Sequence, residues 1–423
     1  MKEIKVVPKL KAAISIPGSK SITHRALITA ALAEGESILK NYLRCEDTLY
    51  TMNALEKLGV AMFPVGKGAL KIWGTGGKFK GQDNRKEIYV GNSGTTLRFM
   101  VSFAALTNCE CMIDGSSRMR QRPIGNLTAA LRQMGAETVC IGDGSLPVLV
   151  RGGGIKGGKV KIHGNKSSQF ISSLLLCAPY ASRDVEIEIH GKTVSAPYID
   201  LTTEVMEQFG ATVERNDYAW YRVKSGKHYS AREFTVEGDV SSASYFWAAA
   251  AVTGGEVTTE NIHPFTTGQG DIRFLDLLEQ MGCRVKRESD RVTVYGNGLS
   301  GIDVDMSQMP DMVPTLAAVA LFAKGETIIR NVGHLRYKES DRLNAIASEW
   351  KRLGAHVEEL PDGLLTFGGN PLHAAVVDAH NDHRIAMSLA VAGLKVPGVE
   401  IRGETSVKKS YPGFWGIWDK FCA

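Results

Sequence analysis

Five helical runs along the chain close on one figure: a large apolar residue, a glycine and a small or branched residue. They are Leu58-Gly59-Val60, Met134-Gly135-Ala136, Phe209-Gly210-Ala211, Met281-Gly282-Cys283 and Leu353-Gly354-Ala355. The glycines fall 76, 75, 72 and 72 residues apart. Each is suited to cap a helix C-terminus in the left-handed conformation before a strand begins. A second series, apolar on all sides and rich in alanine, occupies 25–32, 97–106, 169–176, 243–250, 315–321 and 384–390. Helices apolar around their whole circumference belong in a core. Alternating stretches such as 257–262 and 291–295 supply strands. The period predicts six copies of one unit, each with a buried helix, an amphipathic helix ending in glycine, and strands between. Six such units imply two pseudo-symmetric lobes of three, an α/β (α+β) fold. The last unit is cut short, with 411–421 as its closing helix.

Length supports the same division, because 423 residues exceed one ordinary domain. The start, Met1-Lys2-Glu3-Ile4-Lys5, lacks the apolar core of a secretory signal, and apolar runs such as 316–323 are too short to span a bilayer. A cytoplasmic protein with no membrane partner is expected. Seven cysteines, an odd number without C-x-x-C pairs, fit reduced thiols. Cys109 and Cys111 alternate along a predicted strand and give no metal-ligand pattern. A net charge of +5 suits small anionic substrates at least as well as nucleic acid, which usually leaves a stronger basic stripe.

Candidate chemistry collects just before the buried helices. The first carries Pro17-Gly18-Ser19-Lys20-Ser21 with Arg25, and the second Asn92-Ser93-Gly94-Thr95-Thr96 with Arg98. The third carries Ser167-Ser168-Gln169, the fourth Glu237-Gly238-Asp239, the fifth Met309-Pro310-Asp311 and the sixth Asp382-His383-Arg384. Any one of these, taken alone, reads more readily as an ordinary N-cap with solvated charges. Recurrence at all six turns helix dipoles and cations into one anion-binding device. Three further segments join it: Arg118–Ile124, Arg336–Arg342 and Lys408–Pro412. Lys338, Glu339 and Arg342 stand at i, i+1 and i+4, so a helix beginning there would aim all three at one pocket edge. The expected cleft between the lobes holds Lys20, Arg25, Arg98, Arg122, Lys338, Arg342, Arg384 and Lys409, with Asp311 and Glu339 as the carboxylates placed for proton chemistry. That describes an enzyme closing around two polyanionic small molecules.

Two motifs are decoys. Gly153–Lys159 matches phosphate-loop spacing, but Val160 stands where Ser or Thr must hold magnesium, and a strand pattern follows. His380, Asp382 and His383 lack a second cluster to complete a metal site.

Taken together, these ordered segments resemble the 5-enolpyruvylshikimate-3-phosphate (EPSP) synthase family over essentially the whole chain. The resemblance implies a two-lobed inverse α/β barrel of six β-α-β-α-β-β repeats, three per lobe. It implies lobes at 19–236 and at 1–18 with 237–423, the active site in the cleft between them. The implied reaction passes the enolpyruvyl group of phosphoenolpyruvate to the 5-hydroxyl of shikimate 3-phosphate, with no metal or organic cofactor. Nothing in the sequence calls for an obligate partner, so a monomer is the default expectation. By position, Ser21, Arg25, Ser167, Ser168, Ser195, Tyr198, Asp311 and Lys338 correspond to the shikimate 3-phosphate side. Gly94, Arg122, Arg342, Arg384 and Lys409 correspond to the phosphoenolpyruvate side, and Lys20 and Gln169 touch both. Asp311 corresponds to the base for the hydroxyl proton, and Lys20 with Glu339 to the pair handling the methylene proton. Two positions depart from the pattern: Phe99 follows Arg98 where many relatives have Pro, which would shift the preceding helix start. His334 stands where some relatives have Asn against shikimate 3-phosphate.

The nearest rival, transfer of enolpyruvate to UDP-N-acetylglucosamine, calls for a cysteine in the 118–123 loop, and none is there. A phosphate- or RNA-binding module built on the same cations would need neither Asp311 nor Glu339, and it would bind nucleic acid with steep salt dependence.

Overall fold

A left-handed glycine does end the amphipathic helices, with φ of 87° at Gly59, 79° at Gly135, 94° at Gly210, 113° at Gly282 and 87° at Gly354. This is seen in a computed structural model that describes residues 1–66, 68–79 and 85–422. The chain divides into two units. One is contiguous, Gly18–Val236; the other is split, Met1–Pro17 with Glu237–Ala423. The break falls before Gly18 rather than after it. Gly18 packs so closely on the Asn41 carbonyl that a Cβ there would lie 1.9 Å from its oxygen.

In the contiguous unit the buried helices are Lys20–Leu32, Gly94–Leu106 and Ser168–Cys177, and they pack on one another at the centre. Every residue of the first from Ile22 to Leu32 is buried, as its uniformly apolar face requires. Around them stand three four-stranded sheets of one pattern. Glu34–Lys40 takes Glu233–Thr235 as a parallel neighbour and Ala69–Thr75 as an antiparallel one, with Ala61–Val65 outside. The second sheet repeats this around Glu110–Asp114, and the third around Val185–His190. Amphipathic helices Glu46–Lys57, Gly125–Gln133 and Pro197–Gln208 complete the repeats.

The split unit follows the same plan around helices Val240–Thr253, Val313–Ala320 and His383–Gly393. Its first sheet borrows Lys11–Ser15 as the parallel neighbour of Glu256–Glu260. Its last sheet has three strands, Ala375–Asp378 and Val399–Arg402 in parallel with Lys2–Glu3 antiparallel to the second. The closing helix runs Phe414–Phe421, shorter than the expected 411–421. Gly413 takes the N-cap position, which leaves Tyr411 and Pro412 ahead of the helix. Among the described residues no helix is long and apolar enough to cross a membrane.

Candidate functional site

Caps set the helix starts. Ser19, Ser93, Ser167, Asp239 and Asp382 each accept a backbone N–H from the first turn of the helix that follows. The fifth buried helix is entered through the 3-10 turn Pro310–Met312, which carries Asp311.

The contiguous unit assembles one polar cluster from three helix starts. Lys20 Nζ lies 3.2 Å from Asp47 Oδ2, and Asp47 is buried in the first turn of Glu46–Lys57. The Asp47 carbonyl accepts from Thr96 Oγ1 at 3.1 Å, which ties the first helix start to the second. Ser21 is half-buried one residue on, and its carbonyl accepts from Arg25 Nη1 at 2.8 Å. Arg25 also donates to Thr202 Oγ1 and the Tyr198 carbonyl, each at 2.8 Å. Burial pulls the Arg25 guanidinium down to about 10, with Tyr198 opposing. It is the backbone of Tyr198 that meets Arg25, and the Tyr198 N–H in turn donates to Ser195, held at φ 55°. Gly94 opens the second buried helix where two guanidiniums converge. A Cβ there would lie 2.2 Å from Arg98 Nη1 and 2.6 Å from Arg122 Nη2, so only glycine leaves both in place. Arg122 Nη1 donates to the Asn92 carbonyl at 3.3 Å, and Arg98 Nη2 to the Pro123 carbonyl at 3.3 Å. Gln169 joins the same corner by donating to Thr95 Oγ1 at 3.0 Å, beside the cap Ser167 and the buried Ser168. The residues named here carry four cations against the one carboxylate of Asp47, a charge balance that suits anionic ligands.

The split unit assembles a second cluster of a different character. Asp311 Oδ1 accepts from Arg342 Nη1 at 2.9 Å and Oδ2 from Arg384 Nη2 at 2.7 Å, with Lys338 Nζ 3.8 Å away. Arg342 Nη2 also donates to Glu339 Oε2 at 2.8 Å, and its Nε to Asp382 Oδ2 at 2.8 Å. One guanidinium therefore binds three carboxylates. Asp382 accepts from Ser340 Oγ at 3.1 Å and from the Arg384 N–H at 3.0 Å besides. Burial would raise the Asp311 carboxyl, but Arg384, Lys338 and Arg342 override it and hold the group well below the usual carboxylate range. Burial would weaken the Arg342 cation, yet Asp382, Glu339 and Asp311 raise its pKa instead. His334 is buried beside them and is pushed down to about 3, by burial first and then by Lys338. Lys409 ends the 3-10 turn Glu404–Lys409 and is buried, whereas Lys408 is exposed.

Lys338 and Glu339 do not sit on a helix. They follow the 3-10 turn Gly333–Tyr337, and the helix begins at Arg342 with Asp341 as its cap. They meet Asp311 and Arg342 through the loop rather than through helical phase. The departure at Phe99 leaves the helix Gly94–Leu106 continuous, with Ser93 as its cap. Sequence reasoning misses Asp47 altogether and places Asp382 at the sixth helix start without its pairing to Arg342. Asp47 is 27 positions from Lys20, a distance that no motif spans, but Asp382 announced itself as a cap before Arg384. The two decoys resolve structurally. Strands Val148–Arg151 and Gly158–His163 flank the glycine run, and His380 Nε2 lies 2.8 Å from buried Glu349 Oε1. Among the described residues no group of three or more His, Cys, Asp or Glu is placed to hold a metal ion.

A family model described as EPSP synthase (3-phosphoshikimate 1-carboxyvinyltransferase) matches residues 4–418. The chain is 47% identical over 405 residues to the 3-phosphoshikimate 1-carboxyvinyltransferase of Methanoculleus marisnigri, covering 96% of this chain and 95% of the relative. It is 44% identical over 428 residues to that of Syntrophobacter fumaroxidans, covering 99% of each. Among solved structures it is similar to the 2.37 Å structure of EPSP synthase from Acinetobacter baumannii. The TM-score is 0.81 at 26% identity, with 99% of this chain and 97% of that one covered.

Proposed function

Because the chain belongs to the EPSP synthase family, we propose that its two polar clusters serve one pair of substrates, the cation-rich one binding and the carboxylate-rich one moving protons. The enzyme transfers the enolpyruvyl group of phosphoenolpyruvate to shikimate 3-phosphate, releasing phosphate, in the shikimate pathway to aromatic amino acids. Arg25 with Ser21, Ser167, Ser168, Ser195, Tyr198 and Lys338 binds shikimate 3-phosphate. Arg122, Arg342, Arg384 and Lys409 hold phosphoenolpyruvate beside Gly94, and Lys20 and Gln169 reach both. Guanidinium forks match carboxylate and phosphate oxygens two at a time, which favours arginine over lysine on the phosphoenolpyruvate side.

In the addition step the hydroxyl loses its proton to Asp311 as its oxygen bonds to the enol carbon. The methylene carbon gains a proton from the Lys20–Glu339 pair and becomes a methyl group. In the elimination step that methyl group returns the proton and phosphate leaves. The observation carrying the assignment is that each oxygen of Asp311 is bound by a different arginine, Arg342 and Arg384. In the free enzyme those cations keep the carboxylate ionised and weakly basic. Substrate anions that draw on the same guanidiniums raise its proton affinity where the hydroxyl arrives.

The test is phosphate release dependent on both substrates. Release with either alone, or equal release with UDP-N-acetylglucosamine as acceptor, would overturn the reading. Asp311→Asn is expected to keep both ligands bound and to lose turnover by about 10²–10⁴-fold, the span of general-base catalysis. Buried Cys111 lies on strand Glu110–Asp114 ahead of the 118–123 segment, which opens on the short helix Ser117–Arg120, so no cysteine replaces the one the UDP-sugar reaction calls for. We place the enzyme in the cytoplasm as a monomer; elution at a dimer mass in size-exclusion chromatography would refute the second point.

A further inference from the structure

Arg25 is a buried cation, and among the described residues no carboxylate pairs with it. Among the described residues its hydrogen-bond partners are neutral: the Thr202 hydroxyl and the carbonyls of Ser21 and Tyr198, each at 2.8 Å. A guanidinium has five N–H groups, and these contacts use three, leaving two for an anionic ligand. A desolvated cation held only by neutral acceptors is costly unless something else faces it. What faces it is the ring of Phe99. The Arg25 Cζ stands 5.5 Å from the ring centroid, and Phe99 is 1% exposed. An aromatic face carries partial negative charge, so in a dry site it offsets part of the lost hydration and fixes the plane of the guanidinium.

The arrangement recurs one helix further round. Arg98 Cζ stands 5.7 Å from the ring of Phe170, on the next buried helix. In both cases a cation from one buried helix rests on a phenylalanine from the next. Phe99 differs from an ordinary core residue in this respect. Phe103, one turn on, is fully buried and packs edge-on against Phe79 at 5.5 Å.

We propose that Phe99 is a positioning residue for shikimate 3-phosphate: its ring supports and orients Arg25 in place of a counter-anion, leaving the cation's charge for the substrate phosphate. An acidic residue there would have neutralised Arg25 and competed with the ligand. A purely aliphatic residue would fill the volume without supplying electrostatic support. The inference rests on the assignment of Arg25 to shikimate 3-phosphate.

The experiment compares steady-state kinetics of Phe99→Leu, Phe103→Leu and a series with 4-fluoro-, 3,5-difluoro- and 3,4,5-trifluorophenylalanine at position 99. Fluorination withdraws charge from the ring face with little change in shape. Phe99→Leu is expected to raise KM for shikimate 3-phosphate about tenfold, with kcat and KM for phosphoenolpyruvate within about twofold. Across the fluorinated series that KM should climb stepwise while the thermal midpoint holds. Phe103→Leu should lower the midpoint and leave both KM values alone. A flat KM across the series, or a parallel rise in both KM values, overturns the proposal. Absence of any phosphate release from the unmodified enzyme would instead overturn the functional reading beneath it, so the two failures are distinguishable.

Discussion

Asp311 and His334 show how one cluster sets opposite demands on neighbouring groups. Burial pushes Asp311 toward the neutral acid, and three cations hold it ionised. The same burial and the same Lys338 disfavour a charge on His334, which stays neutral down to about pH 3. The sign of the stability effect follows. Below the ordinary histidine pKa of 6.5 the unfolded chain takes up a proton that the folded one refuses, so stability falls as pH drops from 6.5 toward 3. At pH 5 the loss is about 2 kcal/mol, from 1.36 kcal/mol per pH unit. His380, whose pKa is raised chiefly by its hydrogen bond to Glu349, works in the other direction. The check is therefore the difference between wild type and His334→Asn in urea midpoints from pH 7 to 4. The variant should lose less stability on acidification, and parallel curves would refute this account. At Gly94 the prediction is kinetic. Gly94→Ala inserts a methyl group between Arg98 and Arg122, and KM for phosphoenolpyruvate should rise about tenfold or more with the fold intact. The cationic candidates were legible in the sequence only through their recurrence around the buried helix starts, since any one start alone reads as an ordinary cap. Their partners were not, since Lys20–Asp47 and Arg342–Asp382 are pairings across 27 and 40 positions.

At the scale of elements, Asp382 does two things at once. It caps the helix His383–Gly393 and anchors Arg342 of the helix Arg342–Arg352. Replacing it with alanine removes a cap and leaves a buried guanidinium short of an anion, which together cost about 3–5 kcal/mol. Urea unfolding of Asp382→Ala should show that loss in the transition of the split unit, and binding of phosphoenolpyruvate should weaken. A loss under about 1 kcal/mol would mean Asp382 is only a cap. The helices themselves were readable from the sequence wherever one signal dominated, as in the all-apolar buried series and the glycine stops. They were misread where short local rules won. The last helix starts only after the Pro412-Gly413 turn, and the 3-10 turn Gly333–Tyr337 displaced Lys338 and Glu339 from the helix expected to carry them. Such turns follow from hydrogen-bonding choices over three residues and leave no periodic trace.

At the scale of the whole molecule, repetition made the architecture legible and borrowing hid part of it. Three sheets in each unit follow from six repeats, but no pattern announces that the split unit takes two strands from the chain's first fifteen residues. The passages between units are built alike. Gly18 packs on the carbonyl of Asn41 and Gly238 on that of Asn261, where a Cβ would lie 1.9 and 2.0 Å from the oxygen. Asn41 and Asn261 take positive φ, and their side chains donate at 2.8 Å to the carbonyls of Val236 and Ile16. Gly238→Ala should therefore destabilise by several kcal/mol, on the scale of severe backbone clashes, with a thermal scan as the readout.

The borrowed strands also dictate an order of events during synthesis. Lys2–Glu3 is made well before its partner Val399–Arg402, which follows nearly 400 residues later. At 5–20 residues per second that is a wait of about 20–80 s. Lys11–Ser15 waits for Glu256–Glu260, while the contiguous unit already has every strand it needs. Strands made early are thus among the last to find their places. Until then each is an open strand edge that a chaperone, or another nascent chain, can occupy.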